Sequence, residues 1–108
     1  MANTFLNEQV QDVTTGWSDI GSAVTSQQRT IIGMTVANTE SSVISVDVAI
    51  LNGGTRTYLV KAAPIPTGGS LIVVGGDQKV VLDNGDKIQV QSNTATSADV
   101  VMSMLDIT

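Results

Sequence analysis

The chain is 108 residues long, enough for one domain with a real core and too short for two. It has no histidine and no cysteine, which excludes disulfides, thiolate metal sites, thiol nucleophiles and any histidine-based triad. Ten acidic residues against five basic ones give a net charge of −5; the basic ones, Arg29, Arg56, Lys61, Lys79 and Lys87, stand singly, a distribution that argues against nucleic acid as a partner.

Apolar residues make up 42% of the chain but aromatics only 3%, so the core must be built from Val, Ile, Leu and Met. Valine and isoleucine are stiff at χ1 and fit pleated surfaces better than helices, so the composition points to β structure. Residues 1–28 form a polar segment with Glu8, Asp12 and Asp19 and no basic residue. This segment reads as an N-terminal arm or edge strand, and it holds two of the three aromatics, Phe5 and Trp17. Trp17 either plugs the side of the domain or, with Phe5 and Leu6, reaches a neighbouring subunit, where aromatic anchors are enriched. Apolar residues between Thr4 and Val13 are too few for an amphipathic helix. The first residues lack the basic and apolar regions of a signal peptide, and no wholly apolar stretch exceeds four residues, so the sequence predicts a soluble protein made in the cytoplasm and no membrane span.

From Arg29 onward the strands follow closely. Thr30 to Ala37 is predicted to place Ile32, Met34 and Val36 on one face. Val43 to Leu51 is the clearest strand, with Ile44, Val46, Val48 and Ile50 alternating against small or polar residues at a period of two. Asn52-Gly53-Gly54 is a hairpin signal, because these residues tolerate positive φ. The return strand runs from Thr55 to Ala62, with Arg56 and Tyr58 on one face and Lys61 on the other. Pro64 to Gly69 is predicted to break the pairing as a crossing loop or an edge, since proline cannot donate to a ladder. Ser70 to Val74, predicted as a short buried-type strand, Lys79 to Leu82, Lys87 to Gln91 with Ile88 and Val90 inward, and Ala98 to Ile107 complete the set, with a tight turn at Asp83-Asn84-Gly85-Asp86. Seven strands, or eight with the N-terminal segment, separated by turn signals, predict an all-β antiparallel sandwich: an arm over 1–28 and the sandwich over 29–108.

Chemistry-bearing patterns are sparse. Asp83 and Asp86 are close in sequence but stand at the tips of a turn, which explains their spacing better than general acid–base catalysis or, with Asp77, a calcium site. Gly68-Gly69 and Gly75-Gly76 open no helix and precede no Lys-Ser/Thr, so they are turn glycines and not a phosphate cradle. The sequence predicts no catalytic residues, no metal and no cofactor. The polar loops Asn38 to Ser42 and Ser92 to Ser97 are predicted to form a weakly charged, hydrogen-bonding exterior suited to close packing of subunits.

The runs Ile31 to Thr39 (I-I-G-M-T-V-A-N-T), Tyr58 to Lys61, Pro64 to Gly69, Lys79 to Leu82, Gly85 to Val90 and Ser103 to Ile107 resemble small virion structural proteins of tailed bacteriophages. The resemblance begins at Ile31 and leaves residues 1–28 outside. It implies a β-sandwich that binds the major capsid protein or other virion subunits, most simply a capsid cement or decoration protein bridging neighbouring coat subunits. Such a protein resides in the virion after synthesis in the host cytoplasm, and a homo-oligomer, taken as a trimer, suits the symmetry of a shell. Phe5, Leu6, Trp17, Arg56 and Tyr58 are the predicted subunit-contact residues. A tail or neck component of the same virion, or a carbohydrate-binding β-sandwich module, are the alternative readings.

Overall fold

Alternation at a period of two runs through most of the chain, and the computed structural model, which describes residues 3–75 and 78–107, turns it into two antiparallel sheets. Nine strands occur among the described residues: β1 (Asn3–Val13), β2 (Ser18–Ile20), β3 (Gln28–Asn38), β4 (Ile44–Asn52), β5 (Thr55–Ile65), β6 (Ser70–Val74), β7 (Val80–Leu82), β8 (Asp86–Ser92) and β9 (Ala98–Ile107). One sheet has the order β1-β9-β3-β6, with β7 also paired to β3; the other has the order β2-β8-β4-β5. The all-β antiparallel architecture matches the sequence prediction. The count exceeds the predicted seven or eight because the N-terminal segment supplies two strands, one to each sheet. Asp77 and Gly76 lie outside the described residues.

The core is the seam between the sheets. Ile31, Met34, Val36, Val100, Met102 and Met104 meet Ile44, Val46, Val48, Ile88 and Val90 across it, all essentially without solvent contact. Burying one such aliphatic side chain is worth about 1.5–3 kcal/mol, and methionine fills the irregular gaps that an aromatic-poor core leaves. Ile50 lies at the end of the same row and is half-buried.

Three local predictions are corrected. On β3 it is Ile31, not Ile32, that faces the core: the register with β9 steps from Ile31↔Met104 to Gly33↔Ser103, and the bulge changes which residues face inward. On β6, Ile72 is 71% exposed, because it stands opposite Thr35 on the outward side. Pro64 does not end the pairing; β5 continues through it, with Ser45 opposite Pro64 and Ile44 opposite a fully buried Ile65. Proline is tolerated there because β5 is the edge of its sheet. The chain then turns through Pro66 to Gly69, closed by a Gly69 N–H bond to the Pro66 carbonyl (2.9 Å), and crosses to the first sheet. The hairpin at Gly53-Gly54 forms as predicted, with φ of 64° and 156°.

Two loops predicted as open polar surface are anchored from within. Asn38 is buried; its side-chain amide donates to the Ser42 and Ile65 carbonyls (2.8 and 2.9 Å), and its carbonyl accepts from the Glu40 N–H. Ser92 and Ser97 are buried as well, their hydroxyls 2.6 Å apart.

Candidate interaction surface

The outward face of the β2-β8-β4-β5 sheet carries a rung that crosses all four strands: Asp19 opposite Gln89, Gln89 opposite Ala49, and Ala49 opposite Tyr58. A neighbouring rung sets Lys87 opposite Leu51 and Leu51 opposite Arg56. The Gly53-Gly54 turn fixes this register, and with it the side from which Arg56 and Tyr58 emerge.

Polar contacts tie the rungs together. Gln89 donates to Asp19 (2.7 Å) and accepts from Arg56 Nε (2.9 Å), while Lys87 Nζ lies 3.1 Å from Asp19. Asp19 is held below the ordinary aspartate range, first by the Gln89 hydrogen bond and then by Lys87. Trp17 comes in from the segment between β1 and β2. The Arg56 guanidinium carbon sits 4.6 Å from the Trp17 ring centroid, and the Trp17 and Tyr58 rings meet edge to face at 6.0 Å. Lys61 Nζ lies over Tyr58 at 4.6 Å. Each cation–ring contact at such an exposed site is worth about 0.5–1 kcal/mol, and the edge-to-face pair about the same. Ala49 and Gln89 are buried although they point away from the core; Ala49 lies opposite Tyr58, and Gln89 is held between Asp19 and Arg56.

Lys61 had been expected on the opposite face from Arg56 and Tyr58. The register shift between Val48 and Ala49 places an extra residue between Tyr58, opposite Ala49, and Val60, opposite the inward Val48, so Lys61 returns to the Tyr58 face; just beyond it Ala62 is left-handed (φ 53°) and its N–H bonds Asp47 at 2.7 Å. Beside this group lies a polar depression of about 460 Å³, lined by Asp47, Lys61, Gln91 and Asn93 among others. Asp47 is already engaged there by Gln91 (2.7 Å) and the Ala62 N–H.

The five residues predicted for subunit contact therefore divide. Trp17, Arg56 and Tyr58 form one cluster, whereas Phe5 and Leu6 lie on β1, at the free edge of the other sheet. Gln89 and Asp19, which hold the cluster in place, escaped notice in the sequence; the polar alternation Lys87, Gln89, Gln91 along β8 was the available signal. Asp83 and Asp86 close their turn on each other: each backbone N–H finds the other residue, Asp83 also accepts from Gln28, and Asp86 from Asn52. Among the described residues, no three metal-ligating side chains gather at one point.

No protein-family model and no curated protein matches the chain. Solved structures do. A chain from the acid-stable capsid structure of the Helicobacter pylori bacteriophage KHP30 superposes with a TM-score of 0.61 over 99% of this chain and 89% of its own, at 9% identity. A chain from the Bacillus endospore appendages, described as a novel family of disulfide-linked pili, superposes with a TM-score of 0.53 over 98% of this chain and 88% of its own, at 15% identity. At these identities the likeness is one of fold: nearly the whole chain, from the N-terminal strands to β9, is similar in architecture to subunits of a phage capsid and of a pilus.

Proposed function

We propose that the chain is a non-catalytic virion structural protein, a capsid cement or decoration protein that binds neighbouring coat subunits through its Trp17–Arg56–Tyr58–Lys61 face. The observation that carries this reading is the cluster itself. Trp, Tyr and Arg are the residue types that dominate interface energetics, and here Arg56 and Tyr58 on β5 hold Trp17, from the segment before β2, in one packed group, so less side-chain entropy remains to be lost on docking. The cluster also brings two of the five basic residues of an acidic molecule to one face, which suits an acidic surface on a partner. Whole-length similarity in fold to a chain of a phage capsid supports the setting. The endospore pili are disulfide-linked; this chain has no cysteine and cannot be tied in that way, and many modest non-covalent contacts, whose avidity grows with their number, would serve instead.

One face of the Trp17 ring is taken by Arg56 and one face of the Tyr58 ring by Lys61, which disfavours stacking of a sugar and with it the carbohydrate-binding alternative. The test is co-sedimentation of the purified chain with empty shells, and separately with tails, of the phage whose genome encodes it. Saturable binding to shells is expected, weakened about tenfold or more by Trp17→Ala or Arg56→Ala. Binding to tails alone would move the role to the tail, and binding to neither would overturn the proposal.

A further inference from the structure

A sheet presents a row of unpaired N–H and C=O groups at each edge, and proteins blunt such rows with short strands, proline, lysine or bulges. The two sheets described here have four edges, and three are blunted. β2 is three residues long. β5 carries Lys61, Pro64, the left-handed Ala62 and two register shifts. The far edge of the first sheet is divided between β6 and β7, of five and three residues.

β1 has none of these protections over most of its length. Asn3 to Val10 pairs with Ile107 to Val100 without a break, and the bulge comes only between Val10 and Val13. The strand holds no proline, lysine or arginine, and Glu8 is its one charge before Asp12. Two large apolar side chains stand in solvent on it, Phe5 at 76% and Leu6 at 42% exposure.

We infer that this edge is closed by β1 of a second copy of the chain, running antiparallel about a two-fold axis so that the two five-stranded sheets become one. The sequence of the strand selects that occupant and the register. Residues directly opposite in an antiparallel pair share a face, so partners must be an even number of positions apart. An axis at Leu6 keeps seven pairs, Asn3 to Gln9, with Leu6 opposite its own copy, Phe5 opposite Asn7 and Thr4 opposite Glu8. An axis at Asn7 sets Leu6 against Glu8, one at Glu8 sets two carboxylates face to face, and one at Phe5 shortens the ladder to five pairs. Only the Leu6 register covers the exposed leucine with another leucine and holds the two Glu8 side chains roughly 13 Å apart along the strands. The contact also joins two acidic molecules without placing like charges opposite each other.

The chain has no native cysteine, so Leu6→Cys introduces a single thiol. Directly paired Cα atoms are about 4.5–5.5 Å apart, within disulfide reach, whereas Gln9 and its copy would be separated by roughly 20 Å. Diamide oxidation is expected to convert most Leu6→Cys protein to a covalent dimer and to leave Gln9→Cys largely uncrosslinked. Light scattering behind a sizing column, loaded at about 100 μM to populate a dimer of micromolar affinity, should give the mass of two chains for the wild type. Leu6→Lys should give one chain with an unchanged circular dichroism spectrum. A wild-type mass of one or three chains, or equal cross-linking of the two cysteine variants, would overturn the inference. No shells are present in these measurements, so their outcome is independent of the shell-binding proposal.

Discussion

Arg29 and Asp106 stand directly opposite each other on β3 and β9, 77 positions apart in sequence. The guanidinium grips the carboxylate with two bonds, Nε to Oδ1 at 2.7 Å and Nη2 to Oδ2 at 3.1 Å, while Nη1 reaches the Ser22 carbonyl and Gln27 adds a further donor to Asp106. Both side chains are about nine-tenths buried. The Arg29 hydrogen bond holds Asp106 below the ordinary aspartate value. A folded-state pKa below the unfolded one stabilises the fold in full above the unfolded value of about 3.9, and that contribution drains away as the pH falls through the lower folded value. The urea midpoint should therefore drop as the pH is taken below about 4, and drop less in Asp106→Ala. At neutral pH the same variant leaves a buried guanidinium without its partner, and urea unfolding should show a loss of roughly 3 kcal/mol. If Asp106→Ala unfolds like the wild type at neutral pH, the pair contributes nothing and the argument fails. The sequence does not point to this pair: uninterrupted alternation with Ile32, Met34 and Val36 sends Arg29 outward, and only the bulge after Ile31 brings Arg29 and Ile31 together to the inward face.

At the scale of the element, alternation made the strands legible and bulges hid part of their orientation. The β4–β5 hairpin, the Ile44–Val46–Val48 row and the inward Ile88 and Val90 can be read directly, because alternation along β4 and β8 is unbroken and the Gly-Gly turn sets the register next to it, whereas the two shifts farther along β5 left no trace in the sequence. On β3 two isoleucines are adjacent, and periodicity alone cannot say which of them a bulge sends inward. The choice has a measurable consequence. Ile31→Ala should cost about 2–5 kcal/mol, as expected for a fully buried aliphatic, whereas Ile32→Ala, half-buried beyond the bulge, should cost less than about 1 kcal/mol. Reversed costs in urea titrations would mean that β3 runs in the register the uninterrupted alternation suggests. The aromatic cluster was hidden for another reason. Arg56 and Tyr58 were readable as neighbours on one strand, but Trp17 reaches them from a segment nearly forty positions away, and no local pattern encodes that contact.

At the scale of the molecule, the two outward faces differ in kind. The β2-β8-β4-β5 sheet shows the cation–aromatic cluster and the Asp19–Lys87 pair. Across the other sheet run two uncharged rungs, Gln9–Val101–Thr35–Ile72 and Phe5–Leu105–Thr30–Val81, with Val101, Ile72 and Val81 each at least half exposed. Nothing on those rungs repels a second copy; separation in solution then rests on net charge, which vanishes near the isoelectric point of about 4.2. Lowering the pH from 7 towards that point should raise light scattering, through association beyond any β1-paired dimer, while the far-UV circular dichroism still reports a folded sandwich. Ile72→Thr combined with Val101→Thr leaves the charge and the β-branched shape unchanged, so it should suppress the scattering and shift stability by no more than about 0.5 kcal/mol. Scattering that rises equally in the double variant would show that this face takes no part. Suppressed scattering would instead show that the uncharged face of the β1-β9-β3-β6 sheet is the one that adheres once the net charge is gone.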